Sequence, residues 1–167
     1  MADAGIAYFS FNVSAFELPF AFSEKRNLYK LFMLDTGLLS HMCLRDILFP
    51  VLNGEIDINE GALTENFVAT ELVKHGISLN YYDKKSRQEL DFIFPERNRI
   101  SVIEVKSGNS HTRHASLNAV RTAYPDRIHR SIVLSKFNVR RVETSGSDAT
   151  HRTDEVLYYP LYMTMFV

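Results

Sequence analysis

Residues 100–108 read ISVIEVKSG, a buried β-strand that acquires two charged side chains near its end. Glu104 and Lys106 are two residues apart, and side chains with this spacing in a strand point to the same face of the sheet. Charged groups face a core only when they are paired or bind a ligand. The stretch therefore predicts a central strand of a sheet with a polar site at its carboxyl end.

The preceding segment, ELDFIF, is the predicted hairpin partner of this strand. The linker PERNR is short enough for a two-residue turn at Arg97-Asn98. In the register that this turn imposes, Asp91 lies opposite Glu104 and shares one face with Glu104 and Lys106. Two carboxylates this close repel each other unless a cation lies between them or one of them binds a proton. The hairpin therefore predicts a pair of acids that needs either a cation or a bound proton.

A third acid is predicted on the helix GALTENFVATELVKHG. At 100° per residue, Glu65 lies at the centre of the apolar arc that contains Val68, Ala69 and Leu72. A glutamate that faces a core is costly unless it is paired or ligates a metal. Glu65 is therefore a candidate member of the same site.

Three carboxylates and one lysine suit a particular chemistry. Oxygen ligands of this kind favour a hard divalent cation, Mg²⁺ or Mn²⁺, which can bridge to a phosphate oxygen. Such a metal lowers the pKa of a bound water, and the Lys106 ammonium can orient that water or neutralise charge on the phosphate. The pattern of Glu65, Asp91, Glu104 and Lys106 therefore predicts hydrolysis of phosphodiester bonds.

The order of the predicted elements indicates an α/β fold. A helix over 61–75 is followed by strands at ISLNYY, ELDFIF and RISVIEVK, a helix over 111–124 and a strand at RSIVLS. This α-β-β-β-α-β order predicts a mixed central sheet flanked by helices, over residues 51–167. The polar stretch RRVETSGSDATHRTDE predicts a loop.

Residues 1–50 predict a small β-hairpin and a helix. In YFSFNVS, the apolar residues Phe9, Phe11 and Val13 alternate with polar ones, which is typical of a half-buried strand with the apolar side inward. LYKLFML is the second strand, and Asp35 or Thr36 is the expected helix cap. We expect this aromatic-rich extension to pack on the main core or on a partner.

Composition narrows the class of protein. The chain has 167 residues, a single cysteine and no run of about 18 apolar residues, so we expect a cytoplasmic protein without a membrane span. Residues 97–141 carry ten Lys and Arg but two acids, about +8, against about −9 for the rest. This segment predicts a basic face for DNA, with Arg113, Arg121 and Arg127 as candidate phosphate contacts; solvated charges neutralised by the acidic half are the alternative.

The motifs together resemble a known superfamily. Asp91 followed by Glu104-Val105-Lys106, after a helix bearing Glu65, looks like the PD-(D/E)XK nucleases, and the α-β-β-β-α-β order is similar to their restriction-endonuclease-like core. More narrowly, KLFMLDTGLL, GALTENFVATEL, ELDFIF, IEVKSG and PLYM resemble domain of unknown function 4143, the C-terminal part of prokaryotic P-loop ATPases. The resemblance implies Asp91 and Glu104 as metal ligands, Lys106 as catalytic lysine and Glu65 as accessory acid.

Two departures from these patterns bear on function. Leu90 stands where the superfamily motif has proline, and the chain has no G-x-x-x-x-G-K-[ST] stretch. The chain is therefore expected to be either the C-terminal part of such an ATPase or a stand-alone relative, and its first hairpin resembles the wing of a winged-helix region. A Mg²⁺-dependent DNA endonuclease is the first prediction. A catalytically inactive DNA-binding, regulatory or protein-interaction module of the ATPase is the alternative.

Overall fold

The computed structural model describes residues 5–56, 58–84, 88–108, 114–143 and 155–167. Within these ranges eight strands form one mixed sheet in the order β2-β1-β3-β4-β5-β6-β8-β7. The strands are β1 (Ala7–Val13), β2 (Glu24–Met33), β3 (Asn80–Asp83), β4 (Glu89–Glu96), β5 (Arg99–Lys106), β6 (Ile128–Ser135), β7 (Arg140–Glu143) and β8 (Glu155–Pro160). The helices are α1 (Thr36–Leu44), α2 (Leu48–Leu52), α3 (Gly61–Lys74) and α4 (Ala115–Ala123), with 3₁₀ turns at Phe20–Phe22, Arg45–Ile47 and Leu161–Phe166.

The predicted α/β class with a mixed sheet is confirmed. The pairs β1–β3, β5–β6 and β6–β8 are parallel, and the remaining neighbours are antiparallel. The predicted N-terminal hairpin forms as β1 and β2, and it extends the main sheet through the parallel pairing of β1 with β3. No helix in the described ranges is long and apolar enough to cross a membrane.

The β4–β5 hairpin has the predicted register. Glu96 pairs with Arg99, and the pairing continues to Phe92 opposite Ile103. Arg97 and Asn98 have φ angles of 48° and 63°, the left-handed conformations that a two-residue type I′ turn requires. The turn at these two residues is therefore confirmed.

Each face of the sheet carries its own core. The α4 face packs the following buried residues together: Val13, Phe16, Phe20, Tyr82, Leu90, Ile93, Ile100, Val102, Leu117 and Val120. The α3 face packs another set: Phe32, Val68, Ala69, Leu72, Phe92, Phe94, Ile103, Ile132 and Leu134. Successive β5 residues alternate between the two cores, which accounts for the continuous apolar run that marked this strand.

The helix boundaries follow local sequence signals. Helix α3 spans Gly61–Lys74, close to the predicted range, and Gly76 follows it with a φ of 77°, where glycine is favoured. Asp35 caps α1 by accepting a hydrogen bond from Leu38 N. The sequence predicted Asp35 or Thr36 as this cap. The helix expected from His111 begins at Ala115, and residues 109–113 lie outside the described residues.

Two sequence predictions are wrong. In β1 the polar residues Ser10 and Asn12 are buried, whereas Phe9 is 40% exposed and packs on Phe11 and Tyr29. The expected burial of Phe9 is therefore wrong, whereas Val13 beyond the register shift between Phe11 and Asn12 is fully buried.

The predicted loop RRVETSGSDATHRTDE is also partly strand. Its residues Arg140–Glu143 form β7, which pairs with β8 at the edge of the sheet, and 144–154 lie outside the described residues. Strands at the edge of a sheet often carry charged residues, which prevent pairing with another chain. The polar composition of this sequence therefore gave no indication of a strand.

Candidate functional site

A β-bulge in β4 lies beside Asp91, one of the predicted acids. Asn80 pairs with Ile93 but Tyr82 pairs with Leu90, so β4 holds one extra residue there. Leu90 and Ile93 consequently both belong to the α4-face core although they are three residues apart. The prediction that Asp91 shares a face with Glu104 and Lys106 by simple alternation is therefore wrong.

Asp91 instead lies against the backbone of β5. Its Oδ2 accepts a hydrogen bond of 2.7 Å from Val105 N, and its side chain is 14% exposed. This bond fixes the carboxylate directly beside the strand that carries Glu104 and Lys106. The bulge thus keeps Asp91 in the site while it changes the direction from which Asp91 enters.

Lys30 of β2 joins three acids that come from α3 and β4. Its Nζ lies 2.7 Å from Glu89 Oε1, 3.5 Å from Glu65 Oε2 and 3.7 Å from Asp91 Oδ1. The ammonium also lies 5.3 Å from the centre of the Tyr81 ring, within the range of a cation–π contact. The predicted acids Glu65 and Asp91 are therefore brought together around a lysine.

Glu104 and Lys106 form a separate pair. Lys106 Nζ lies 2.5 Å from Glu104 Oε1, and the Glu104 side chain is 8% exposed. The other carboxylate oxygen, Oε2, is buried and has no hydrogen-bond partner among the residues that the structure describes. One acceptor of a buried acid thus remains available to a ligand.

Burial dominates the proton affinity of these acids. It raises the pKa of Asp91, which the Val105 hydrogen bond and the Lys30 charge lower in part and the Glu104 charge raises again. Burial and the Asp91 charge raise the pKa of Glu65, and burial raises the pKa of Glu104 against the opposing effect of Lys106. A nearby cation would therefore stabilise the charged form of each carboxylate.

The pKa of Lys30 depends on the same acids. Burial alone would lower the pKa of Lys30, but the Glu89 hydrogen bond and the Glu65 and Asp91 charges raise it. The ammonium is therefore held in its charged form by the acids that surround it.

The carboxylates suit a divalent metal in kind. Their oxygens are the ligands that Mg²⁺ and Mn²⁺ prefer, and Glu104 Oε2 is a buried acceptor without a partner. Within the described residues, however, no group of three or more His, Cys, Asp or Glu is arranged to hold a metal ion. Asp91, Glu104 and Glu65 are the residues that would hold it, and lysines neutralise these acids in the present arrangement.

Comparison with known families gives one result. A family model described as "Domain of unknown function (DUF4143)" matches residues 60–159, more than half of the chain. The chain belongs to the DUF4143 family. Comparisons with curated proteins and with solved structures give no match.

The DUF4143 segment carries all four residues predicted from the sequence, Glu65, Asp91, Glu104 and Lys106. Lys30 precedes it. Sequence reasoning missed Lys30, although the signal was present: Lys30 stands two residues before the buried Phe32 in the apolar strand LYKLFML, and so on the same face. It also missed Glu89, which is half exposed.

Asn66, the neighbour of Glu65, ties the DUF4143 segment to the strand that bears Lys30. Asn66 Oδ1 accepts from Met33 N at 2.7 Å, and its Nδ2 donates to Met33 O at 3.1 Å and to Thr36 Oγ1 at 2.9 Å. The side chain is 1% exposed. These bonds fix the end of β2 against α3, next to the contact between Lys30 and Glu65.

The candidate DNA-binding arginines lie away from this site or outside the described residues. Ile100 N donates to Arg127 O at the start of β5, so Arg127 is about 20 Å from Lys106 at the end of that strand. Arg121 occupies the last turn of α4, whose first turn contacts Glu89 N through Ser116 Oγ. Arg113 lies outside the described residues. Their role in DNA binding stays a prediction.

Proposed function

We propose that this DUF4143 protein is a metal-dependent phosphodiesterase that cleaves DNA, built on a restriction-endonuclease-like core. The observation that carries the proposal is the proximity of Asp91, Glu104 and Lys106 at the open end of the β4–β5 hairpin, where β4 begins and β5 ends. Asp91 is fixed by Val105 N, and Glu104 keeps a buried oxygen that has no partner in the described part of the chain. The element order α3-β3-β4-β5-α4-β6, with β5 parallel to β6, supports the proposed core.

Each residue has a separate task in this proposal. Asp91 and Glu104 would hold Mg²⁺ or Mn²⁺, and the bound metal would supply Lewis-acid stabilisation and a water of lowered pKa. Lys106 orients the attacking water or neutralises charge on the scissile phosphate. Glu65 adds negative charge from the helix side.

Cleavage of plasmid DNA with Mg²⁺ or Mn²⁺ tests the proposal directly. We expect the wild-type chain to nick or linearise plasmid, EDTA to abolish the activity, and Glu104→Ala or Lys106→Ala to reduce the rate about 100-fold or more, since removing one preorganised charge at a reacting centre typically costs this much. Glu17→Ala, which removes an exposed carboxylate, is the matched control and should leave the rate unchanged. Activity that survives both site variants would disprove the assignment.

A second candidate function is a non-catalytic module that binds a partner. An apolar cleft of about 730 Å³ lies between the helical segment after β2 and the C-terminal turn, and its lining includes Leu44, Leu48, Leu63, Phe67 and Leu161. Phe49 and Leu52 beside it are 74% and 70% exposed. Exposed apolar surface of this kind favours an interaction, which the family resemblance would assign to the ATPase module.

The two functions separate by experiment. A DNA-binding module without catalysis should shift labelled DNA in EDTA with an affinity that falls steeply with salt, and the triple change of Arg113, Arg121 and Arg127 to Gln should flatten that dependence. A protein-interaction module should neither cut nor shift DNA, yet should bind the ATPase segment, and Phe49→Ser should weaken that binding. Metal-dependent cleavage would instead favour the first function.

A further inference from the structure

Lys30 occupies the place in the candidate site where an added cation would be stabilised. Among the described residues it is the one cation within 4 Å of Glu65, Glu89 and Asp91. The three acids belong to two elements, α3 and β4, and the lysine to a third, β2. The ammonium therefore holds the α3 side of the site together electrostatically.

A single charge on this lysine neutralises three carboxylates incompletely. Asp91 and Glu65 are mostly buried, and buried carboxylates repel one another unless positive charge is supplied. A divalent ion would bring twice the charge to the same oxygens, but it competes with the ammonium for them. A bound metal would therefore weaken the contacts of Lys30 with these carboxylates, and the Lys30 contacts weaken metal binding.

The position of Lys30 allows it to leave. Strand β2 is at the edge of the sheet, and most of its residues are exposed. The lysine side chain is 25% exposed and passes over the Tyr81 ring, so its long stem can withdraw to solvent without rearrangement of a core.

We propose that Lys30 is an internal counter-ion that closes the metal-free site, and that a divalent cation reaches Asp91, beside Glu65, only by displacing it. The proposal rests on the proposed metal-dependent function and adds its regulation: the metal-free chain is held in an inactive, lysine-paired form. The consequence is a metal affinity set by Lys30 rather than by the acids alone.

Direct binding of Mn²⁺ to the full chain, followed by the electron paramagnetic resonance signal of free Mn²⁺, tests the competition. Lys30→Met removes the charge but keeps an unbranched apolar stem one atom shorter than that of lysine, and we expect it to bind Mn²⁺ at least tenfold more tightly than the wild type. The matched control is Lys25→Met, an exposed lysine on the same strand, which should leave the affinity within about twofold. Equal or weaker binding by Lys30→Met, or no binding by any variant, would overturn the proposal.

A second measurement needs no substitution and so stands even if Lys30→Met fails to fold. Brief acetylation of wild-type protein, read by mass spectrometry, reports how accessible each lysine amine is. We expect saturating Mn²⁺ to increase the labelling of Lys30 several-fold, with the same midpoint as Mn²⁺ binding, and to leave Lys25 unchanged. Unchanged Lys30 labelling at saturating Mn²⁺ would overturn the displacement.

The outcomes distinguish this inference from the proposed function. If Mn²⁺ displaces Lys30 but no nucleic acid is cut, the counter-ion role stands and the catalytic proposal is wrong. If DNA is cut with Mn²⁺ while Lys30 labelling does not change, the catalytic proposal stands and the counter-ion role is wrong.

Discussion

Two glutamates of the β4–β5 hairpin show how surroundings decide the behaviour of one residue type. Burial would raise the pKa of Glu96, but hydrogen bonds from Ser101 and Arg130 and the charges of Arg130 and His129 lower it below its usual value. At the other end of the hairpin, burial raises the pKa of Glu104 despite Lys106. The first acid has several hydrogen-bond and ion-pair partners within the protein, whereas one oxygen of the second has none among the described residues.

The Glu96 cluster makes a pH-dependent contribution to stability. Glu96 Oε2 accepts from Ser101 Oγ at 2.7 Å and from Arg130 Nε at 2.8 Å, and its side chain is 24% exposed. We expect Glu96→Gln to lower the free energy of unfolding by about 1–2 kcal/mol at pH 7, as for hydrogen bonds to a charged group that is partly screened. Urea unfolding of both proteins measures this difference.

The sign of the pH dependence follows from the lowered pKa. The stabilisation is complete above the unfolded pKa of glutamate, about 4.3, and it is lost as the pH falls through the lower folded pKa. The difference between the wild type and Glu96→Gln should therefore narrow as the pH falls below about 4. A difference that stays constant down to pH 3 would contradict a role for the Glu96 charge, and Glu17→Gln should show no difference at either pH.

At the residue scale, the sequence was informative where a charge broke an apolar pattern. Glu65 interrupts the apolar arc of a helix, and Glu104 and Lys106 interrupt a core strand, so all three could be singled out from their neighbours. Lys30 also interrupts an apolar strand, but its importance depends on the Tyr81 and Glu89 side chains of two other strands. That proximity follows from the sheet order, which local patterns do not contain.

At the scale of elements, Asn66 joins α3 to β2 and so aligns Glu65 with Lys30. We expect Asn66→Ala to lower the free energy of unfolding by about 2–3 kcal/mol, because the change removes three hydrogen bonds and leaves the Met33 N–H and carbonyl without their partner. Chemical denaturation at pH 7 measures the loss. Asn118→Ala, at an exposed position of α4, is the control and should fall within about 0.5 kcal/mol of the wild type. Equal effects of the two changes would show that the Asn66 bonds contribute nothing.

Elements were predictable where one interaction decided them. The type I′ turn at Arg97-Asn98 follows from the linker length, and the register of the hairpin follows from the turn. The bulge near Asp91 could not be predicted in this way, because it depends on how β4 pairs with β3, and the turn does not determine that register. The burial of Ser10 and Asn12 in β1 has the same origin, since β1 takes its orientation from β2 and β3 on either side.

At the scale of the molecule, the sheet continues without interruption from the N-terminal hairpin to β7. Residues before position 50 also fill both cores: Phe16 and Phe20 lie on the α4 face and Phe32 lies on the α3 face. In the described part of the chain, residues 1–50 therefore share their cores with residues 51–167 and do not form a core of their own, although the sequence predicted two parts. Cooperative unfolding of the two parts together is therefore expected.

A fragment of residues 51–167 tests this expectation. This fragment lacks four core residues that are at most 5% exposed in the full chain: Val13, Phe16, Phe20 and Phe32. Full burial of one such side chain stabilises a protein by about 1.5–3 kcal/mol. Their sum is comparable to the total stability of an ordinary domain, about 5–15 kcal/mol, and the deletion also opens the edge of β3. We expect the full chain to show a single thermal transition by circular dichroism and the fragment to show none. A fragment that unfolds cooperatively, with dispersed amide resonances, would instead support residues 51–167 as an independent domain, with the N-terminal hairpin as a separable addition.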